Sequence, residues 1–172
     1  MQTYTHLTVG LVASQLIFPG DNVAQVVMVA ATVVPDIPAA MQFAVDILKK
    51  KRPLAEQSKE LVLVNSIFHS FVIFFFLWSS IGVLCMAGAL PLSPVLLLAA
   101  PLGQFFHLCL DGLSHSGKEF EKTDPGMLWP LPWKVRGLFE YRTAGAGGLW
   151  TPLDLKISGA AIIIFVVLRF IL

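Results

Sequence analysis

The stretch "LLLAAPLGQFFHLCLDGLSHSGKE", residues 96 to 119, begins as apolar as a membrane interior and then turns polar at a regular interval. His107, Asp111 and His115 follow one another at a spacing of four residues. In an α-helix this spacing brings side chains onto one face. The stretch therefore predicts a helix with imidazole and carboxylate groups along one stripe. A buried polar stripe of this kind needs partners elsewhere in the chain.

The composition predicts an integral membrane protein with a single membrane-embedded domain, residues 1–172. Hydrophobic residues make up 56% of the chain and charged residues 13%, and mean hydropathy is +0.75. Soluble domains carry about 25% charged residues. The formal net charge is only +1. We therefore expect membrane lipids as partners and no nucleic acid.

Apolar runs and turn signals predict an all-α helical bundle of about five helices. Residues 7–18 and 23–34 form a short N-terminal hairpin around the turn "PGDN". Two long spans follow at residues 61–90 and 96–116, and residues 155–172 form a C-terminal span. The hairpin helices are short for a bilayer about 30 Å thick. We expect them either to just cross the membrane or to lie partly buried among the other helices.

Basic residues predict the orientation of the helices. The connection at residues 49–60 contains "KKKR", and the loop at residues 117–154 is also basic. Its basic residues include Lys118, Lys122, Lys134, Arg136 and Arg142. Because two spans separate these segments, both lie on one side of the membrane. The positive-inside rule makes that side cytoplasmic.

The loop at residues 117–154 is rich in aromatic residues, as in "MLWPLPWKVRGLFEYR". This composition is typical of a segment that lies at the membrane surface, with its rings at the depth of the headgroups. A loop packed over the mouth of the bundle would look the same. Both interpretations stay open at this point.

On this topology all four histidines and two aspartates come to one depth near the cytoplasmic face. They are His6, Asp36, His69, His107, Asp111 and His115. Imidazole and carboxylate are the usual ligands of zinc and other first-row metals. Ionisable groups inside a membrane indicate a functional site. Taken singly, each residue also suits a structural role, but their convergence favours a divalent-metal site, with zinc as the expected ion.

Five short motifs occur in the order "THLTVGL", "VVPDI", "FHSFVIF", "HLCLDGLSHSG" and "LWPLPW". They resemble a family of bacterial inner-membrane proteins described as metal-dependent hydrolases, over most of the chain up to about Trp133. That family has a Pro-Asp-Ile-Asp-His segment, a His-Arg-Gly-x-Thr-His-Ser segment and a His-x-x-x-Asp helix. The resemblance implies an uncharacterised membrane hydrolase. The ligands it implies are His6, Asp36, His69, His107 and Asp111.

The chain departs from the family's pattern in two motifs. Pro38 and Ala39 stand where the family has Asp-His, and residues 64–66, "VNS", stand where it has His-Arg-Gly. These departures argue against a site with two metal ions. They also remove an arginine that would hold a phosphate. Two outcomes stay open: a single ion, with His115 as a substitute ligand, or an altered chemistry.

The function we expect is a membrane-embedded metal-dependent hydrolase of the bacterial inner membrane. It would act on a lipid or phosphate ester near the cytoplasmic face, with Asp36 as general base. The basic residues of the loop would either hold the phosphate of the substrate or only mark the loop as cytoplasmic under the positive-inside rule. The alternatives are a metal or proton transporter and a non-catalytic metal-binding protein. The apolar segments "FVIFFFLW" and "VLLLAAPL" disfavour transport, because a conduction path needs polar residues across the membrane.

Overall fold

The computed structural model describes residues 3–48, 59–114, 127–131 and 152–170. All regular structure in these ranges is helical, which confirms the all-α prediction. The elements are α1 Thr3–Ile17, α2 Asn22–Ala31, a 3₁₀ turn Val34–Asp36, α3 Ile37–Leu48, α4 Lys59–Phe68, α5 Phe71–Met86, α6 Pro94–Ser114 and α7 Pro152–Phe170.

The N-terminal hairpin has the predicted form, with α1 packed against α2. Its turn contains Gly20 at a φ of 81°, a conformation that glycine adopts without steric cost. Asp21 then caps α2, because its side chain accepts a hydrogen bond of 3.0 Å from the backbone N–H of Ala24. The turn "PGDN" therefore both reverses the chain and starts the second helix.

The expected number of about five helices is wrong for the described residues, which contain seven α-helices. The helical segment that begins with the second predicted helix, residues 23–34, does not end there. It passes through the 3₁₀ turn and continues as α3 to Leu48. Pro35 lies in this turn, and since proline has no backbone N–H it interrupts the α-helical hydrogen bonding without ending the helical segment.

The prediction of one continuous helix over residues 61–90 is also wrong. The segment breaks at His69 and Ser70 into α4 and α5. Ser70 is extended, with φ −95° and ψ 124°, and caps α5. The backbone N–H of Phe71 donates to the carbonyl of Met127, at 2.8 Å, instead of bonding within a helix. A contact from outside the segment therefore accompanies the break.

Helix α6 packs against α1, α2 and α5, and α7 packs against α1. Small side chains allow the close crossing of α2 and α6, where Ala24, Met28 and Ala99 are buried together. A Cβ atom added to Gly103 would lie 2.2 Å from the carbonyl oxygen of Met28. This tight crossing brings the end of α2 beside the polar half of α6.

Two helical segments in the described ranges are long and apolar enough to cross a membrane, Asn22–Leu48 and Pro94–Leu113. Helix α5 is apolar but shorter. The larger number of spans expected from the sequence stays a prediction. Residues 49–58 and most of the loop 117–154, whose charges predict the orientation, lie outside the described residues.

Candidate metal centre

The structure brings together five of the six residues that the sequence singled out. His6 comes from α1, His107 and Asp111 come from α6, and Asp36 ends the 3₁₀ turn. His69 directly follows α4. Four separate elements therefore contribute to one cluster of three imidazoles and two carboxylates. The remaining candidate, His115, lies outside the described residues.

Asp111 lies at the centre of this cluster and is almost completely buried. Its Oδ1 atom is 3.1 Å from Nε2 of His6. Its Oδ2 atom is 3.1 Å from Nε2 of His107 and 3.5 Å from Nε2 of His69. One carboxylate thus faces all three rings, and it uses both oxygens to do so.

Asp36 faces two of the same rings from the other side. Its Oδ1 atom is 3.5 Å from Nε2 of His69 and 3.8 Å from Nε2 of His107. The rings of His6 and His107 are stacked with centroids 3.9 Å apart, and the ring of His69 stands edge-on to His107 at 5.0 Å. The His107 ring is therefore close to every other member of the cluster.

Hydrogen bonds to backbone carbonyls orient two of the rings. Nδ1 of His107 lies 2.8 Å from the carbonyl oxygen of Thr32, and Nδ1 of His69 lies 2.8 Å from that of Asn65. A carbonyl oxygen can only accept, so each Nδ1 carries the proton and donates it. In the neutral ring Nε2 then presents a lone pair. This is the usual arrangement of histidines that bind metals.

The local sequence explains why the Thr32 carbonyl is available. In a continuous α-helix it would accept from the N–H of Asp36, but that N–H donates to Val33 at 3.0 Å. Pro35, which would be the donor of a 3₁₀ bond, has no N–H. The carbonyl therefore has no donor from its own helical segment and accepts from His107 instead.

Several polar atoms in the cluster have no hydrogen-bond partner among the described residues. They are both ring nitrogens of His6, Nε2 of His107 and Oδ2 of Asp36. The 3.1 Å contacts of His6 and His107 with Asp111 are short enough for hydrogen bonds. Nε2 of His107 presents a lone pair in the neutral ring, because its Nδ1 donates to the Thr32 carbonyl, and the three rings and two carboxylates face a common centre. Such a centre is stable only with a cation or a proton in it.

The distances between these atoms fit a small metal ion. With metal–ligand bonds of about 2.0–2.2 Å, neighbouring ligand atoms of a tetrahedral site lie about 3.3–3.6 Å apart. The observed nitrogen–oxygen distances run from 3.1 Å to 3.8 Å. The donor atoms of these residues are therefore close enough to one another to hold a metal ion.

Two sets of three donors have their ligand atoms within 4.8 Å of one another, and they share His107. We call them the inner trio and the outer trio. The inner trio is His6, His107 and Asp111, with side chains 0–3% exposed. The outer trio is Asp36, His69 and His107, in which Asp36 is 15% exposed and His69 14%. Only the outer trio has an accessible side, where water or another ligand can complete the coordination.

Sequence reasoning missed the residues that hold the ligands in place. Thr32 and Asn65 act through backbone carbonyls, which every residue has, so their side chains give no signal. Ser70 joins His69 to the segment 127–131, because its hydroxyl donates to the carbonyl of Trp129. The one available signal was Pro35, which removes an N–H directly before Asp36.

Comparison of the chain with protein-family models, with curated proteins and with solved structures found no match. The resemblance to the membrane hydrolases therefore stays a prediction from the sequence motifs.

Proposed function

We propose that this protein is a metal-dependent hydrolase of the bacterial inner membrane, with zinc as its ion. The observation that carries the proposal is the convergence of imidazole Nε2 atoms and carboxylate oxygens within 3.1–3.8 Å of one another. Two of these rings are fixed by Nδ1 hydrogen bonds, so that their lone pairs face the carboxylates.

The outer trio is the better candidate for catalysis, because a catalytic metal site keeps one coordination position open. The inner trio is buried and shares His107 with it, and Nε2 of His6 lies 3.1 Å from Oδ1 of Asp111. A bound divalent ion supplies Lewis acidity, which makes a water nucleophilic near neutral pH and polarises the oxygen of an ester. The chain's own residues then have to position the substrate and move the proton.

Asp36 is the residue that we assign to proton transfer. Its Oδ1 faces His69 and His107, while Oδ2 has no hydrogen-bond partner among the described residues. Oδ2 accepts the proton of the water whose oxygen attacks the ester. The bond to the alcohol then breaks, and the same proton passes to the departing alkoxide. The products are an acid and an alcohol, and Asp36 is regenerated.

The surface of the helices supports a location within the membrane. Large apolar side chains are more than half exposed on several helices. They include Val23 and Val26 on α2, Phe76 and Met86 on α5, and Ile163 and Phe170 on α7. Monomeric soluble proteins rarely expose apolar surface so widely, whereas a multi-pass bundle presents such side chains to lipid. A lipid or phosphate ester near the cytoplasmic face is the corresponding substrate.

The orientation is tested with protein variants that carry a single cysteine, either within residues 49–60 or within residues 117–154. Each variant is labelled with a membrane-impermeant thiol reagent in inverted and in right-side-out vesicles. The proposal expects both segments to react from the cytoplasmic side only. Labelling of the two segments from opposite sides would contradict the topology.

The catalytic assignment is tested with zinc-loaded protein in lipid nanodiscs and a panel of carboxylic and phosphoric esters, with turnover expressed per bound zinc. We expect Asp36→Asn to lower turnover about 10²–10⁴-fold, the usual contribution of a general base. Asp21→Asn is the matched control, since asparagine also caps helices well, and it should behave as wild type. Equal turnover in Asp36→Asn and wild type would refute the role of Asp36.

A second function is favoured by the complete burial of the inner trio, because structural metal sites are closed to water. In that case the ion would hold α1 to α6 without catalysis. Bound zinc with no turnover on the whole panel, together with a large loss of thermal stability on chelation, would support this function over hydrolysis.

A further inference from the structure

The planes of the imidazole rings determine which histidines can share one ion. A metal bound to a ring nitrogen lies in the plane of the ring, about 3 Å from the ring centre, because the bond to nitrogen is about 2.1 Å long. Two rings that bind one ion at tetrahedral angles therefore have their centres about 5 Å apart. Stacked, nearly parallel rings do not meet this condition, because their planes do not converge at bonding distance.

The rings of His69 and His107 have the arrangement of two ligands of one ion. Their centroids are 5.0 Å apart and their planes are inclined by 62°. In each ring Nδ1 donates to a backbone carbonyl, so Nε2 presents its lone pair. Oδ1 of Asp36 and Oδ2 of Asp111 each lie 3.1–3.8 Å from both of these Nε2 atoms. Two nitrogens and two oxygens are thus spaced as four ligands of one ion of the size of zinc.

The ring of His6 has a different arrangement. It is stacked on the ring of His107, with centroids 3.9 Å apart and planes inclined by only 26°. An ion in the plane of one ring, at bonding distance from Nε2, would lie well outside the plane of the other. His6 also faces Oδ1 of Asp111, whereas His69 and His107 face Oδ2. The inner trio therefore has the spacing of a metal site but not its ring directions.

His107 limits the cluster to one ion. Both trios need its Nε2 atom, because its Nδ1 donates to the Thr32 carbonyl and a ring nitrogen has a single lone pair. Once an ion in the outer trio takes this lone pair, the inner trio is left with His6 and Oδ1 of Asp111 alone. Metal sites in proteins normally have three or four protein ligands, so this pair is too small to hold a second ion.

We infer that the centre holds a single ion and that His6 positions Asp111 instead of binding the ion. The four protein ligands are Asp36, His69, His107 and Asp111, the last through Oδ2. In a neutral ring either nitrogen can carry the proton, and a proton on Nε2 of His6 makes its 3.1 Å contact with Oδ1 of Asp111 attractive. The reacting oxygen takes a fifth position, to which catalytic zinc sites can expand. This assignment rests on the metal centre of the proposed function and deepens it, because it removes one of the five ligands that the resemblance implies.

The test uses cobalt(II)-loaded protein in detergent micelles, because the visible absorption of cobalt(II) depends on the number and kind of its ligands. Wild type is compared with His6→Ala, His6→Gln and His69→Gln. Glutamine places a side-chain N–H close to the position of Nε2 but does not replace imidazole as a ligand of such metals. His69→Gln is the matched control, since it makes the same change at a residue assigned as a ligand. Cobalt content, spectrum and affinity are measured for each protein, and circular dichroism checks the fold.

Wild type should bind one cobalt ion per chain. His6→Ala should keep the wild-type spectrum and lose about 10–100-fold in affinity, the usual effect of removing a partner of a metal ligand. His6→Gln should keep the same spectrum and recover most of this affinity, because its N–H can again hold Asp111. His69→Gln should change the spectrum and lower the affinity further than His6→Ala, because the ion loses a ligand.

The same change of spectrum in both glutamine variants would overturn the assignment of His6, and failure of His6→Gln to recover affinity would overturn its positioning role. Two cobalt ions per chain would contradict the single ion. If the His6 variants do not fold, X-ray absorption of zinc-loaded wild type counts the imidazole ligands directly: two are expected, and three would contradict the assignment. Wild type that binds neither cobalt nor zinc would overturn the metal centre and the proposed function together.

Discussion

One hydrogen bond from Nδ1 of His107 to the carbonyl of Thr32 decides which nitrogen of that ring faces the cluster. Pro35 protects this bond, because it has no N–H to compete for the carbonyl. The same short turn supplies Asp36. At the scale of single residues, the candidate metal centre therefore depends on Pro35, which is not itself one of the ligand candidates.

The first prediction concerns this proline. Pro35→Ala introduces a backbone N–H within reach of the Thr32 carbonyl and allows the turn to become α-helical. The hydrogen bond from His107 to the Thr32 carbonyl then weakens. Metal affinity should fall about 10–100-fold, as it does when hydrogen-bond partners of other metal-binding histidines are removed. Isothermal titration of the metal-free protein with zinc measures the change.

Pro38→Ala is the control for this variant, because its N–H is six residues after Thr32, beyond the reach of the Thr32 carbonyl in either an α-helix or a 3₁₀ turn. It should leave zinc affinity within about twofold of wild type. If Pro35→Ala also binds zinc as wild type does, then the free carbonyl is not what orients His107.

The sequence was informative for side chains that bear chemistry and silent for those that act through the backbone. The histidines and aspartates stand out in a chain with 13% charged residues, and helical spacing places two of them on one face. Asn65 stood out only as a departure from a motif. The position of its carbonyl next to His69 depends on where α4 ends, which the pattern of apolar residues does not determine.

At the scale of elements, the two breaks in otherwise continuous helical segments lie at Asp36 and His69. A break inside a buried helical segment is stable only where the freed backbone groups find other partners. Here the carbonyl of Thr32 binds His107, and the N–H of Phe71 binds Met127. The breaks are therefore part of the site.

The second prediction tests the close crossing of α2 and α6. Gly103→Ala would place a methyl group 2.2 Å from the carbonyl oxygen of Met28. The helices must then separate, at a cost of about 1–3 kcal/mol. We expect a lower midpoint of thermal unfolding, measured by circular dichroism in detergent.

Gly82→Ala on α5 is the matched control, because among the described residues no atom beyond its own stretch of helix backbone lies within 4 Å of the added Cβ. It should leave the stability unchanged or raise it by up to about 1 kcal/mol, since alanine favours helices. Equal effects of the two variants would show that the crossing is looser than the structure indicates.

The third prediction concerns the break between α4 and α5. Ser70 accepts a hydrogen bond from the N–H of Ile73 and donates one to Trp129. Ser70→Ala should lose about 1 kcal/mol of capping energy and leave the Trp129 carbonyl without its donor. Because His69 is the preceding residue, zinc affinity should also fall, by about tenfold.

Ser93→Ala separates the loss of a helix cap from the expected loss of zinc affinity. Ser93 caps α6 through a 3.2 Å bond from the N–H of Leu96 at an exposed position. Its substitution should lower the midpoint of unfolding and leave zinc affinity unchanged. Unchanged zinc affinity in Ser70→Ala as well would mean that Ser70 supports the fold and not His69.

The sequence predicted the existence of most helices and missed where they break. The hairpin, α6 and α7 follow from apolar runs bounded by turn residues. The break at Ser70 could not be predicted, because serine also occurs within helices and the deciding contact is with Met127, more than fifty residues away. Helix α3 was missed because Pro35 resembles a helix end.

At the scale of the whole molecule, four elements meet at the cluster, and α7 holds one of them in place. Thr5, the residue before His6, donates to Oδ1 of Asp154 at 2.7 Å and accepts from Ser158 at 3.2 Å. Asp154 and Thr5 are completely buried. The C-terminal helix thus fixes the start of α1, and with it the position of His6.

The central claim is that the cluster holds a metal ion, and elemental analysis of the purified protein tests it most directly. Wild type should contain near-stoichiometric zinc, either as purified or after reconstitution. The double variant His69→Ala, His107→Ala should contain almost none while its helical circular dichroism is retained. Wild type that binds no zinc, manganese or cobalt even after reconstitution would contradict the claim and leave a polar network that joins the helices.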